Sequence, residues 1–227
     1  VVVPFLLTSS GYAANEAMAI YGAGIGMALP LLFIPITVVG SLSFVMIPTV
    51  SEGVIKKDFA RVNAQIESAI GFSIIISALF VPAFFVLGGR IGTFVYDDTN
   101  AGEFLSRAAW LLVPLAVENI TSSVMNSLDL EIRSFFNYLI GSAVMFAFCF
   151  AFYGAFDVTV MGAGLGIGWT VTSVLHIRSI RKRTGLGRRY LIKLAGAGAM
   201  VIPTVFVTKC VYSLCSALPA VAALVIP

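Results

Sequence analysis

The chain predicts an all-α integral membrane protein, a polytopic helical bundle, on three observations. Hydrophobic residues make up 59% of it and charged residues only 11%, against about 25% charged in a soluble domain. Its mean hydropathy is +1.01. Apolar runs of spanning length recur with polar punctuation between them, and a bilayer core about 30 Å thick needs about 20 such residues per helix.

Taken in order, residues 1–7 read as the tail of a helix. The chain opens VVVPFLL and ends inside an apolar run at Pro227, so the expectation is a segment of a longer membrane protein. Residues 17–51 follow, AMAIYGAGIGMALPLLFIPITVVGSLSFVMIPTVS, with no charge but with Pro30, Pro35 and Pro48. At about 1.5 Å per residue this run is far too long for one straight span. Proline removes a backbone donor and kinks a helix, and in lipid the freed carbonyls must find protein or water. A broken helix over 17–50 is expected, as a moving part or a cavity wall. Gly26, Pro30, Pro35 and Pro48 are its hinge candidates.

Ile55, Phe59, Val62 and Ile66 then recur at helical spacing among Lys57, Asp58, Arg61 and Glu67. That pattern predicts an amphipathic helix on the membrane surface or against the bundle. It is either a linker or a coupling helix that moves with the preceding span. Further spans are expected at 69–87 with Pro82, at 105–125 with Pro114 and Glu118, at 135–156 and at 160–175. The last of these carries glycines at 162, 164, 166 and 168. Spans at 190–207 and 211–227 complete the set.

Charge alternates between the connections. Lys56, Lys57, Arg61, Arg133, Arg178, Arg181, Lys182, Arg183, Arg188, Arg189 and Lys193 fall on one set, and only Arg90, Arg107 and Lys209 on the other. The positive-inside rule places 51–68, 127–134 and 178–193 in the cytoplasm. The cluster from Arg178 to Arg189 reads as a topology anchor and a site for anionic membrane lipids, not as a nucleic-acid surface. Holding an anionic substrate headgroup, with Arg61 helping, is the functional alternative to topology anchoring alone.

Glu118 is the one carboxylate well inside an expected span, so it should face protein or a water-filled cavity. Either it couples transport as a proton or cation site or touches a substrate, or it is a structural carboxylate paired with Asn119 or a neighbouring helix. The glycine pairs 22/26, 162/166 and 164/168 suit close helix packing. Cys149, Cys210 and Cys215 all lie in apolar runs, and the chain has a single histidine, His176, so no metal or cofactor site is expected. His176 reads as an interfacial residue near its helix end. With no catalytic triad and no paired carboxylates within a span, an enzyme is not expected.

The string YGAGIGMALPLLFIPITVVGSLSFVMIPTVSE, followed by KKDFARVNAQIESAI, resembles polysaccharide-biosynthesis membrane proteins of the stage V sporulation protein B group. The preceding LLTSSGYAANEAMAIYG, with its Tyr21–Gly22 pair, fits the same group. That group lies in the exporter superfamily that also holds lipid II flippases and MATE antiporters. The resemblance is specific over residues 5–70 and weaker over 71–180. One departure is MNSLDLEIRS, where the group commonly has a Gln-Gly-containing turn. The resemblance implies a MATE-like two-lobe transporter of which 1–180 form the C-terminal six-helix lobe and 181–227 an extra helix pair. An N-terminal lobe outside this chain would be its partner. The implied activity is the flipping of a polyprenyl-pyrophosphate-linked saccharide across a bacterial cytoplasmic membrane. A cation-coupled antiporter of the MATE type and a non-transporting scaffold for cell-wall synthesis are the alternatives.

Overall fold

A computed structural model describes residues 2–152, 157–187, 206–210 and 213. In chain order it contains α1 (Val2–Ser9), α2 (Ala14–Tyr21), a π-helical segment (Gly22–Ala28), α3 (Leu29–Ile55), α4 (Phe59–Tyr96) and α5 (Thr99–Ala108). A 3-10 turn (Ala109–Leu111), α6 (Leu112–Ser127), α7 (Glu131–Ala151) and α8 (Val158–Thr184) follow. Five stretches among the described residues are long and apolar enough to cross a membrane: Ala14–Ile55, Phe59–Tyr96, Thr99–Ser127, Glu131–Ala151 and Thr159–Thr184. The all-α polytopic architecture is therefore the observed one. The two spans expected at 190–207 and 211–227 lie almost wholly outside the described residues, as do Arg188, Arg189 and Lys193. The expected lobe boundary at residue 180 falls inside α8.

The first long span is continuous rather than broken. Helical backbone runs from Ala14 to Ile55, and its irregularity is confined to the π-helical turn before Pro30. The Leu29 N–H donates to the Gly24 carbonyl, five residues back. Proline explains the position: Pro30 has no N–H, and its ring crowds the carbonyl four residues earlier, that of Gly26. A wider turn takes up that conflict, and the α-helix then resumes. Pro35 and Pro48 sit inside α3 without interrupting it.

Residues 51–68 are not a loop with its own surface helix, which corrects the sequence expectation. α3 runs to Ile55, three residues turn the chain, and α4 begins at Phe59 and continues unbroken to Tyr96. Val62 and Ile66, half of the amphipathic pattern, are fully buried, while Ile55 is 81% exposed. The pattern is the buried face of a long span, and Val62 packs onto Gly53 of α3. Asp58 makes the tight turn workable, because its carboxylate accepts the Arg61 backbone N–H at 3.1 Å. Asp98 and Asp157 cap α5 and α8 in the same way, at 2.9 and 2.8 Å. Asp58→Ala is expected to lower the thermal stability of the detergent-solubilised chain by about 1 kcal/mol. An unchanged midpoint would show that the cap carries no weight.

The span expected at 105–125, by contrast, contains a 3-10 turn. α5 ends at Ala108, the chain makes a 3-10 turn, and α6 starts at Leu112. Pro114 falls in the first turn of α6, where backbone N–H groups have no helical partner to lose. α6 is the central helix, packed against α3, α4, α7 and α8. Leu112, Ile120, Met125 and the following Leu128 are fully buried around it. Two hydrogen bonds tie one end of the bundle together. Ser51 Oγ donates to the Ser127 carbonyl at 3.0 Å, and Asn63 Nδ2 donates to the Thr184 carbonyl at 3.0 Å. The α3–α4 turn, the α6–α7 turn and the end of α8 thus share that end. These are three of the segments that the charge pattern assigned to a single side.

Lipid gives little hydrophobic drive between helices, so close approach at small residues sets the packing. Gly164 and Gly168 of α8 meet α7 at Cys149 and Met145, and Gly166 receives the Trp110 ring. Gly22, Gly26 and Gly162 have open space around them, so those expected packing positions are not used among the described residues. Gly24 is used instead, against Phe104 and Met161.

Candidate functional site

Glu118 lies on α6, one turn into the span after Pro114, and is 6% exposed. Its neighbours follow from helical spacing. Thr121 and Ser122 stand three and four residues on, on the same face. Asn119 is next to Glu118 in sequence and therefore points elsewhere. Asn119 Oδ1 is buried with no partner among the described residues. Glu118 is paired with a neighbouring helix: the Tyr138 hydroxyl of α7 donates to Glu118 Oε1. The same hydroxyl lies 3.3 Å from Ser122 Oγ.

A second set of polar groups packs against the first. His176 of α8 is fully buried, which corrects its reading as an interfacial residue. Its ring meets that of Tyr138 edge-on, with centroids 5.4 Å apart. Nδ1 lies 3.4 Å from Thr121 Oγ1 and Nε2 lies 3.1 Å from Ser134 Oγ. The Thr121 hydroxyl already donates to the carbonyls of Val117 and Glu118, at 2.8 and 3.1 Å. Its oxygen is therefore left to accept, which places a proton on Nδ1 and lets Nε2 accept from Ser134 in the neutral ring. The physical reason for so many hydroxyls is the medium: a polar group buried in a span is costly unless it is hydrogen-bonded. α6, α7 and α8 each contribute to this one cluster.

The other candidates lie elsewhere. Arg61 is exposed near the start of α4, at the tied end of the bundle, and does not join the Glu118 cluster. Arg178, Arg181, Lys182 and Arg183 occupy the last turns of α8, where cations also complement the helix dipole. Gly26 and Pro30 are exposed beside the π-helical turn, Pro48 is exposed further along, and Pro35 is buried. No group of three or more potential metal-ligating side chains is found among the described residues.

Sequence reading missed Tyr138, Thr121, Ser122 and Ser134. A signal existed for some of them. Ser134 and Tyr138 are four residues apart on one face of a helix, as are Glu118 and Ser122. Which helices face each other is not written in that spacing.

The chain is 27% identical, over 184 residues, to Stage V sporulation protein B of Bacillus subtilis (strain 168); the match covers 80% of this chain. It covers 36% of that protein, so the chain spans about a third of the relative's length. This similarity bears out the resemblance to the stage V sporulation protein B group read from residues 5–70. No protein-family model matches the chain. No solved structure matches it either.

Proposed function

We propose that this chain is the C-terminal lobe of a membrane transporter that flips a lipid-linked saccharide across a bacterial cytoplasmic membrane. The similarity to Stage V sporulation protein B over 80% of the chain carries this reading. Two features of the bundle favour movement over scaffolding. One is the π-helical turn at Gly22–Ala28 against Pro30, a local irregularity in an otherwise continuous span of 42 residues. The other is a buried carboxylate within the bundle, which a purely passive membrane anchor has no need of.

In this reading the span bends at the π-helical turn, Gly26 and Pro30 serving as the pivot with Pro35 and Pro48 further along. Glu118 is the coupling or substrate-contacting carboxylate; Asn119, next in sequence but on another face of α6, is a separate buried polar group. Arg61 and the α8 basic turn (Arg178, Arg181, Lys182 and Arg183) face the cytoplasmic leaflet, where anionic lipids and a pyrophosphate headgroup reside. Arg188 and Arg189 extend that basic stretch in sequence. The N-terminal lobe supplies the remaining wall of the cavity.

Leaflet exchange of a fluorescent polyprenyl-pyrophosphate sugar tests the proposal, in liposomes carrying this chain together with its N-terminal lobe. Exchange above protein-free liposomes is expected. Pro30→Ala should slow it about tenfold, which is about 1.4 kcal/mol on the bending step. No exchange, with ion-driven efflux of a cationic dye instead, would replace the flippase with an antiporter of the MATE type.

A further inference from the structure

We infer that Glu118, Tyr138 and Ser122 form a proton-binding site, whose occupancy is recorded by reversal of the Glu118–Tyr138 hydrogen bond. This rests on the transporter reading and deepens it by naming the ion that the carboxylate takes.

The first part of the argument is the inventory of oxygens. A metal cation such as sodium or calcium is held by a shell of several oxygen ligands; Ca²⁺, for example, takes about six to eight. Among the described residues, the side-chain oxygens joined to Glu118 by hydrogen bonds are those of Tyr138 and, through it, Ser122. The Thr121 hydroxyl is directed at two backbone carbonyls. A proton needs only one acceptor, and Glu118 offers it.

The second part is satisfaction in both charge states. With Glu118 ionised, the Tyr138 hydroxyl donates to Oε1. With Glu118 protonated, its new O–H donates to the Tyr138 oxygen, and the Tyr138 hydrogen turns to Ser122 Oγ, 3.3 Å away. One proton is gained at Glu118 and forms the only new covalent bond, while the Tyr138 hydroxyl exchanges its acceptor and keeps a partner in both states. His176 obeys the same rule next door: Ser134 donates to Nε2 of the neutral ring and accepts from it in the cation.

The third part is access. Glu118 is 6% exposed, but Tyr138, whose hydroxyl holds the carboxylate, is 37% exposed, so a single side chain separates the site from the exterior of the bundle. The helices packed on α6 bring no competing charge to the middle of the site. α3 carries only Glu52 and α4 only Arg61, Glu67, Arg90 and Tyr96 as ionisable groups, all towards helix ends. α7 contributes Tyr138, with Glu131 and Arg133 at its start and Cys149 near its far end. α8 contributes His176, with Arg178, Arg181, Lys182 and Arg183 beyond it towards its end.

The test is pH-difference infrared spectroscopy of the chain in lipid nanodiscs, comparing wild type with Glu118→Gln. The expected result is a protonated-carboxyl band that grows on acidification and is missing from Glu118→Gln. In Tyr138→Phe the band should remain but change frequency, because its hydrogen-bond partner is gone. Exchanging sodium for potassium at fixed pH should leave it unaltered. A band lost on adding sodium would overturn the proposal in favour of a cation site. The absence of any Glu118-dependent band would overturn it outright. The ¹⁵N spectrum of His176, the single histidine of the chain, reports whether each variant keeps the cluster folded. Because the readout is proton occupancy, it stands or fails independently of lipid exchange.

Discussion

Gly92→Val is expected to separate α4 from α5 and to destabilise the chain by about 3 kcal/mol or more, at the upper end of overpacking effects. A Cβ at position 92 would come within 2.3 Å of the Gly102 Cα and backbone nitrogen. A side chain in the way can change rotamer; backbone cannot. The reverse approach is equally tight, since a Cβ at Gly102 would meet the Gly89 carbonyl at 2.4 Å. Nor can the connection absorb the shift, because only Asp97 and Asp98 join the two helices. Labelling of the buried Cys149 thiol during heating gives the midpoint. Gly89→Ala is the control, because its Cβ would meet nothing within 4 Å. Equal midpoints for Gly92→Val and wild type would show that the two helices do not meet at these glycines.

The second large effect is expected from Tyr138→Phe. It removes the hydroxyl that donates to Glu118, and stranding a buried polar group costs about 1–3 kcal/mol, more for a charged one. Glu118→Leu removes the demand along with the carboxylate, so Tyr138→Phe should cost little in that background. The double-mutant cycle is therefore expected to give a coupling of about 1–3 kcal/mol in thermal or denaturant unfolding. Additivity within about 0.5 kcal/mol would mean that the two side chains act separately.

How much of this was legible depends on the kind of signal. Hydropathy placed five spans correctly because each is a local property of about 20 residues. Charge alternation placed the α3–α4, α6–α7 and α8 ends together because it is counted along the chain. Helix junctions were less legible. The Ile55–Ile66 periodicity suits a surface helix and a buried helix start equally, and only packing of Val62 on Gly53 distinguishes them. Asp58 read only as a polar position of that pattern, although it stands three residues ahead of the N–H it caps, as Asp98 and Asp157 do.

The amino-acid sequence by itself determined that this chain is a helical membrane bundle, where the five described spans lie, and that one carboxylate must be sheltered within it. It also located the proline that forces a wider turn, since the clash of Pro30 with the Gly26 carbonyl is local. Only the tertiary structure decided which groups shelter Glu118 and which glycines touch. Tyr138 and His176 are 20 and 58 positions from Glu118 along the chain, and they join it because α6, α7 and α8 pack side by side. The physical reason is the same in each case: hydropathy and backbone chemistry act between neighbours in sequence, whereas hydrogen bonds and close contacts act between neighbours in space.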